Sequence, residues 1–332
     1  MKNSKPEVVV VTGASAGVGR ATVRRFAREG ARIGMIARGL DRLEAARREV
    51  EELGGSGLIL QADVSDATAV ERAAARTEDE FGPIDVWVNN ATVTVFSRVK
   101  DMLPEEYRRV TEVSYLGCVN GTLAALRRML PRDRGAIVQV GSALAFRAIP
   151  LQSAYCAAKH AIQGFTESLR TELMHDKSNV YVTIVHLPAL NTPQFSWNKV
   201  KLARQPQPVP PIYQPEVAAE AIYYMAHHRR REMVVGYPTV EAIYGDRIAP
   251  WLLDRILAKS GFESQQTEQP VSPDRPNNLW EPVPGDYAAH GIFDERARGF
   301  SPQYWVNTHR SLVAAGVAVM TGVGVYAAKL RG

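Results

Sequence analysis

Three residues near the middle of the chain have types and spacing that suit proton transfer: Ser142, Tyr155 and Lys159. Tyr155 and Lys159 lie four apart in the run Tyr155-Cys156-Ala157-Ala158-Lys159, which is Ala-rich and favours helix. Residues i and i+4 share a helix face, so the ammonium can lie beside the phenol. A free tyrosine ionises near pH ~10, and a cation within a few ångströms stabilises the phenolate and lowers that value. The expectation is a phenol that trades a proton near neutrality, as carbonyl chemistry requires. Ser142 ends the strand-like run Ala136–Val140, so it should project from a strand's carboxyl end, where open α/β sheets carry their chemistry. By itself, Tyr-x-x-x-Lys also fits an ordinary solvated helix face. The surrounding elements must decide.

Residues 7–11 form a continuous valine run after Glu7, the pattern of a strand buried on both faces. Thr12-Gly13-Ala14-Ser15-Ala16-Gly17-Val18-Gly19 follows at once, then a helix-forming stretch from Arg20 to Arg28. Strand, glycine turn and helix in this order let the backbone approach a pyrophosphate at the positive end of the helix. Gly13, Ser15, Ala16, Gly17, Val18 and Gly19 are therefore candidate coenzyme contacts. A second strand over 31–37 ends about twenty residues past the turn, where NAD-binding proteins place an acid on the ribose 2′-hydroxyl. Here Ala37 and Arg38 stand instead, with no acid before Asp41. An arginine pairs with the 2′-phosphate of NADP, so NADP(H) is favoured over NAD(H). The other reading of Arg38 is a solvated loop residue.

Strands and helices then alternate: strands over 58–61, 84–88, 136–140, 180–186 and 232–235, and helices over 66–81, 104–130, 153–175 and 215–228. This βα repetition predicts an α/β doubly wound parallel sheet, Rossmann-like, of about seven strands, with a C-terminal extension.

With these motifs in order, the chain resembles the short-chain dehydrogenase/reductase family in its single-domain branch. The resemblance rests on Thr12-Gly13-x-x-x-Gly17-x-Gly19, Asp63, Asn89-Asn90-Ala91, Ser142 and Tyr155-x-x-x-Lys159, and covers roughly residues 5 to 237. It implies an NADP(H)-preferring oxidoreductase that interconverts a carbonyl and an alcohol. Asp63 would bond the adenine amine, with Val64, Asn90, Ala91 and Pro188 also along the coenzyme. Lys159 would grip the nicotinamide ribose, Ser142 would hold the substrate oxygen, and Tyr155 would pass it a proton. The resemblance also implies a homodimer or homotetramer paired through the helices over 104–130 and 153–175.

Three positions depart from the family pattern. Thr92 replaces a glycine. Ser114 stands where an asparagine completes a proton relay, and its hydroxyl can still hold a water. Pro188-Ala189 replaces Pro-Gly, which leaves Thr192 as the threonine that would meet the nicotinamide amide. The reading from a different functional class is an NADP(H)-binding regulatory or sensing protein with little turnover. The extended relatives are disfavoured, because they carry a Gly-x-x-Gly-x-x-Gly turn.

Residues 190–213 are rich in Pro and aromatics and should cover the substrate. Phe195 and Trp197 there either line a lid for a hydrophobic substrate or pack the loop onto the sheet. Residues 1–237 are read as the NADP-binding catalytic domain, 238–310 as a helical and irregular arm packed on the domain or on a partner subunit, and 311–332 as an apolar segment. The arm should hold a helix over 242–260. Residues 312–328 are seventeen in a row without a charge, flanked by His309-Arg310 and Lys329. They read as a membrane anchor or as a helix buried in a subunit interface.

The composition, 45% hydrophobic and 23% charged, is that of a globular protein. Two cysteines give neither a disulfide framework nor metal spacing, and Cys156 reads as a small buried residue. A net charge of +5 with interspersed acids does not suggest nucleic-acid binding. The N-terminus runs into the first strand with no signal peptide, so the expected location is the cytoplasm, with the C-terminal segment as the one candidate tether.

Overall fold

The computed structural model describes residues 5–313. The apolar run 312–328 therefore lies outside the described residues except for its first two positions. Seven parallel strands form one sheet: β1 (Val8–Thr12), β2 (Arg32–Ala37), β3 (Ser56–Gln61), β4 (Val86–Asn89), β5 (Ala136–Ser142), β6 (Tyr181–Leu187) and β7 (Glu232–Val234). Their spatial order is β7-β6-β5-β4-β1-β2-β3. The order reverses between β1 and β4, which opens a crevice at their carboxyl ends.

The valine run of β1 shows why the sheet is buried on both sides. Val9 and Val11 belong to one core with residues of α1 (Gly17–Ala27), α2 (Leu40–Glu52) and α7 (Pro215–His227). Val8 and Val10 point into a second core with α3 (Ala67–Phe81), α4 (Pro104–Thr111), α5 (Gly117–Met129) and α6 (Ser153–His175). Side chains alternate across a strand, so a run without polar interruption demands a helix layer on each face. The fold is the doubly wound α/β sheet expected from the sequence.

The expected helix over 104–130 is divided. A π-helical turn at Glu112–Leu116 separates α4 from α5 and carries Ser114. The helix expected over 242–260 is two helices, α8 (Tyr237–Ile248) and α9 (Pro250–Ser260). Pro250 has no N–H and sits in the first turn of α9, so the backbone hydrogen bonds restart there.

The arm after α9 packs on the sheet domain. Leu279 is fully buried in the same core as Val64, Val110 and Val113. Phe293 joins Phe96, Phe195 and Ile212 in a small cluster of its own. The helix α10 (Pro302–Thr308) docks on the β7 edge, with Gln303 donating to the Val234 carbonyl at 2.6 Å and accepting from the Gly236 N–H at 2.9 Å. Among the described residues, no helix is long and apolar enough to cross a membrane.

If the arm is part of the cooperative fold, Leu279→Ala should destabilise the whole protein by about 2–5 kcal/mol through lost burial and the cavity left behind. Urea unfolding should still be a single transition, shifted to lower denaturant. An unchanged midpoint would mean that the arm melts independently of the sheet.

Candidate active site

The glycine turn joins β1 to α1 in a conformation that larger residues resist. Gly13 has φ +67°, and a Cβ there would lie 2.9 Å from the Ala91 Cα. A Cβ on Gly19 would lie 2.0 Å from the Gly13 carbonyl oxygen. The turn is held from β4: Asn90 Nδ2 donates to the Thr12 carbonyl at 2.9 Å, and the Asn90 and Ala91 N–H groups donate to Thr12 Oγ1. Asn90 is thus a brace for the turn as well as a cleft residue.

A cavity of about 400 Å³ runs from this turn across the carboxyl ends of the strands. It is lined by Gly13, Ser15, Ala16, Gly17 and Val18 at one end, by Arg38, Asp63, Val64 and Ala91 along the side, and by Ser142, Tyr155, Lys159, Pro188 and Thr192 further in. One cavity therefore gathers every candidate residue except Gly19 and Ser114. Gly19 is instead the helix residue packed directly against the Gly13 carbonyl.

Lys159 is 3% exposed, and its Nζ donates to the Val140 carbonyl at 2.7 Å. It stands 5.4 Å from the centre of the Tyr155 ring, as the i, i+4 spacing on α6 requires. Burial lowers the Lys159 ammonium to about 8, against a smaller opposing pull from Cys118. Burial also raises the Tyr155 phenol above its ordinary value, and the Ser142 hydroxyl opposes this only in part. The expectation of a tyrosine ionising near neutrality is therefore not met by the chain itself. Burial of the phenol is the largest cause of the shift. Ser142 is 8% exposed, and its Oγ accepts from the Leu144 N–H at 3.1 Å where β5 ends.

Ser114 does not face this pair. Its hydroxyl donates to the Val93 carbonyl and accepts from the Val93 N–H, both at 3.1 Å, and lies 3.0 Å from Thr92 Oγ1. Among the described residues no hydrogen bond joins it to Lys159. The serine that replaces the family's asparagine braces the Thr92–Val93 turn, and the two departures, Ser114 and Thr92, contact each other. The cavity does not include Ser114.

Asp63 accepts from the Ser65 N–H at 2.9 Å and Oγ at 2.8 Å, and pairs with Arg109. Burial pushes its carboxyl up, but the Arg109 and Ser65 hydrogen bonds together hold it below the usual range. Arg38 is not a solvated loop residue. Its guanidinium donates to the carbonyls of Asn278 at 2.6 Å and Trp280 at 2.7 Å. Arg109 Nε donates to the Leu279 carbonyl between them. The arm thus lies against the cleft, held by two arginines.

The aromatics of the 190–213 insert divide their roles. Phe195 packs on Phe96 and Phe293, with ring centres 6.0 Å apart in each pair. Trp197 meets Tyr287 of the arm edge-on at 4.7 Å and lies under the Arg42 guanidinium. Both line the cavity, but Trp197 is on the side of Arg42 and Gly39. Thr192 is buried, with its methyl and Cβ 3.3 Å from where a Gly17 side chain would start. Next to it, Asn191 accepts from the Phe293 N–H and donates to Asp294, fastening the arm. Arg20, Arg42, Arg109 and Asn191 were not singled out by sequence. Arg42 had one signal, its position four residues after Arg38. The others are tied to distant segments that no local pattern names. Cys156 is buried, as expected, and burial raises its thiol.

The profile of the short chain dehydrogenases matches residues 7–200. The chain belongs to the short-chain dehydrogenase family. Similarity continues beyond the matched region: an uncharacterised oxidoreductase, YxnA, of Bacillus subtilis is 34% identical over the whole chain and 92% of its own length. A fatty acyl-CoA reductase of Acinetobacter baylyi is 28% identical over 79% of this chain and 86% of that protein. Among solved structures, an alcohol dehydrogenase of the archaeon Thermococcus sibiricus, complexed with 5-hydroxy-NADP, superposes with a TM-score of 0.60. It shares 28% identity and covers 69% of this chain and 95% of its own. This short-chain dehydrogenase is an oxidoreductase acting on CH–OH or C=O groups, on a fold that binds NAD(P).

The desolvated Lys159 has a stability consequence. Below pH ~8 it is protonated both folded and unfolded, and the burial penalty is fully present. Between ~8 and ~10.5 the unfolded chain binds more protons, so stability rises with pH, by up to about 3 kcal/mol. Urea midpoints of wild type and Lys159→Met across this range should differ in slope accordingly; parallel curves would show that Lys159 is not desolvated.

Proposed function

We propose that this protein is an NADP(H)-dependent oxidoreductase that interconverts a carbonyl and an alcohol on a hydrophobic substrate. The observation that carries the reading is the convergence of Ser142, Tyr155 and Lys159 on one cavity with the glycine turn, on elements that meet only in the folded sheet. The cradle fits a dinucleotide: Gly13, Ser15, Ala16, Gly17 and Val18 line the cavity at the start of α1, where the positive φ of Gly13 and Gly17 shapes the turn. Gly13, Ser15, Ala16, Gly17 and Val18 would hold the diphosphate portion, Asp63, Val64 and Ala91 the adenosine portion, and Pro188 and Thr192 the nicotinamide portion. Bound NADP(H) would supply or accept the hydride.

The rest of the chemistry falls to the chain. Tyr155, a neutral phenol, is a proton donor to a carbonyl oxygen in the reducing direction. Ser142 fixes that oxygen by a hydrogen bond, and its partner Leu144 N–H orients the hydroxyl. Lys159 is held against β5 and stabilises the phenolate as it forms, which it does best while charged, below pH ~8. Proton resupply through Ser114 is not part of this reading, because its hydroxyl is bonded to Val93.

NADP(H) preference rests on the absence of an acid between β2 and Asp41 and on Arg38 there. The solved alcohol dehydrogenase, in complex with an NADP analogue, supports it. A hydrophobic substrate is supported by the far end of the cavity, lined by Leu144, Ile149, Phe195, Val209 and Leu257. The fatty acyl-CoA reductase among the relatives points the same way. We read residues 1–237 as the coenzyme and catalytic unit and the arm as its cover. Assembly through the α4–α5 and α6 faces remains the expectation carried by the family.

In a coupled assay of NADPH and NADH against long-chain aldehydes, ketones and alcohols, Tyr155→Phe should lower kcat by about 10²–10⁴-fold, with coenzyme affinity nearly unchanged. Wild-type protein that binds NADPH tightly but turns over no member of the panel would instead favour the sensing role.

Lipid association is proposed for the exposed face of α8 and α9. Tyr237, Tyr244, Ile248, Trp251, Leu252 and Ile256 of α8 and α9 are exposed, and Pro238, Thr239 and Leu257 of the same helices line the cavity. Gln303 of α10 docks on Gly236, at the start of α8. Aromatic and aliphatic side chains with Arg247, Arg255 and Lys259 suit a headgroup interface. Full-length protein should float with anionic phospholipid vesicles, and Trp251→Glu with Ile256→Glu should weaken this several-fold. Wild type that stays at the bottom of the gradient, as a dimer through this face or otherwise, rules the association out.

A further inference from the structure

We propose that the arm selects the substrate: Gln265 locks the Gln152 side chain so that its carbonyl oxygen is offered to the cavity beside Tyr155. The site then takes a ketone or alcohol that carries a second hydroxyl or an N–H near the reacting carbon. This deepens the oxidoreductase reading above and rests on it.

Gln265 lies beyond the segment that the family profile matches, yet it lines the same cavity as Gln152 and Tyr155. It is fully buried. Its Nε2 donates to the Pro150 carbonyl at 2.8 Å and to the Gly261 carbonyl at 2.6 Å. Its Oε1 accepts from Gln152 Nε2 at 2.8 Å. Backbone contacts fix it further. The Gln265 carbonyl accepts from the Gln207 N–H of the insert at 2.9 Å. A Cβ on Gly261 would lie 3.0 Å from the Pro150 ring, so arm and loop meet without a gap.

A side-chain amide has two N–H donors and one carbonyl oxygen. Both donors of Gln265 are committed to backbone carbonyls, so its oxygen can only accept, and Gln152 must turn its NH2 toward it. Reversing either amide would set oxygen against oxygen. The Gln152 Oε1 is the atom left over. Among the described residues it accepts no hydrogen bond, and it is not enclosed by the protein. Gln152 caps α6 three residues before Tyr155, so the two side chains leave the helix on one side and both reach the cavity. Leu144, Ile149, Val209 and Leu257 line that cavity as well. A fixed acceptor in apolar walls holds a hydroxyl or N–H well. An ether oxygen in the same place faces another acceptor with water excluded, and is rejected.

The test uses full-length protein, NADPH and a series of long-chain ketones with a hydroxyl at increasing distance from the carbonyl, each beside its methyl ether. Wild type should favour at least one hydroxy ketone over its ether by about 10-fold in kcat/KM, as expected for one hydrogen bond gained against one acceptor left unpaired. Gln152→Leu should bring that ratio to about one. Gln152→Glu, which keeps an acceptor, should retain a higher ratio than Gln152→Leu. Gln265→Met frees the Gln152 amide to turn, and should lower the ratio at least about threefold by improving the ether. NADPH affinity should stay within about twofold in all three variants. A ratio near one for every pair in wild type, or equal ratios in Gln152→Leu and either wild type or Gln152→Glu, overturns the proposal. So does a loss of NADPH affinity that matches the loss in ratio, which would assign Gln152 to the coenzyme. A ratio untouched in Gln265→Met, with circular dichroism confirming the fold, removes the arm's role; if that variant does not fold, the two Gln152 variants decide. Wild type that reduces no ketone of the series refutes the oxidoreductase reading itself.

Discussion

Arg20 is the interaction on which the coenzyme end of the molecule depends. Its side chain is fully buried and reaches Glu49 at 2.7 Å, the carbonyls of Ser15 and Arg42, and Asp286 of the arm. Glu49 is held down to about 2: burial acts against its charge, and the Arg24 and Arg20 hydrogen bonds overcome it. A buried guanidinium is tolerated only when its donors are used, and breaking such a pair costs about 3–5 kcal/mol. Here the donors tie the glycine turn, α2 and the arm to one point. The turn stays shaped, the first turn of α2 stays beside it, and the arm stays closed.

The catalytic end is governed by desolvation. Lys159 and Tyr155 share a pocket between β5 and α6 in which both charged forms are penalised: the lysine is lowered and the tyrosine raised. The hydrogen bond from Lys159 to the Val140 carbonyl keeps the ammonium at the end of the strand that presents Ser142. Position is set by backbone; reactivity is set by the exclusion of water.

The arm changes the character of the cleft. In an open α/β sheet the crevice at the strand ends faces solvent. Here Asn278 to Trp280 close one side against Arg38 and Arg109, and the Gly17 N–H at the start of α1 donates to the Ala288 carbonyl at 3.1 Å. Trp197 of the insert and Tyr287 of the arm meet edge-on between them. The insert and the arm therefore act as one cover, fastened through Asn191 and Phe293.

The sheet, its glycine turn and the Tyr155–Lys159 pairing were legible because each is encoded locally. A valine run alternates between two faces whatever surrounds it, glycines allow a turn that others resist, and residues four apart share a helix face. The sequence also determined that no acid stands between β2 and Asp41. What only the tertiary structure decided depends on neighbours far along the chain. Arg38 reads as a phosphate ligand by position, and the fold also makes it an arm clasp because residues 278–280 reach it. Ser114 holds the place of a relay member in the motif order, and the fold bonds its hydroxyl to Val93 and Thr92. The direction of the Tyr155 shift followed from burial, not from the spacing of Lys159. Three residues in one stretch of sequence named the chemistry; their desolvation, which sets the protonation states, came from strands and helices brought together over the whole sheet.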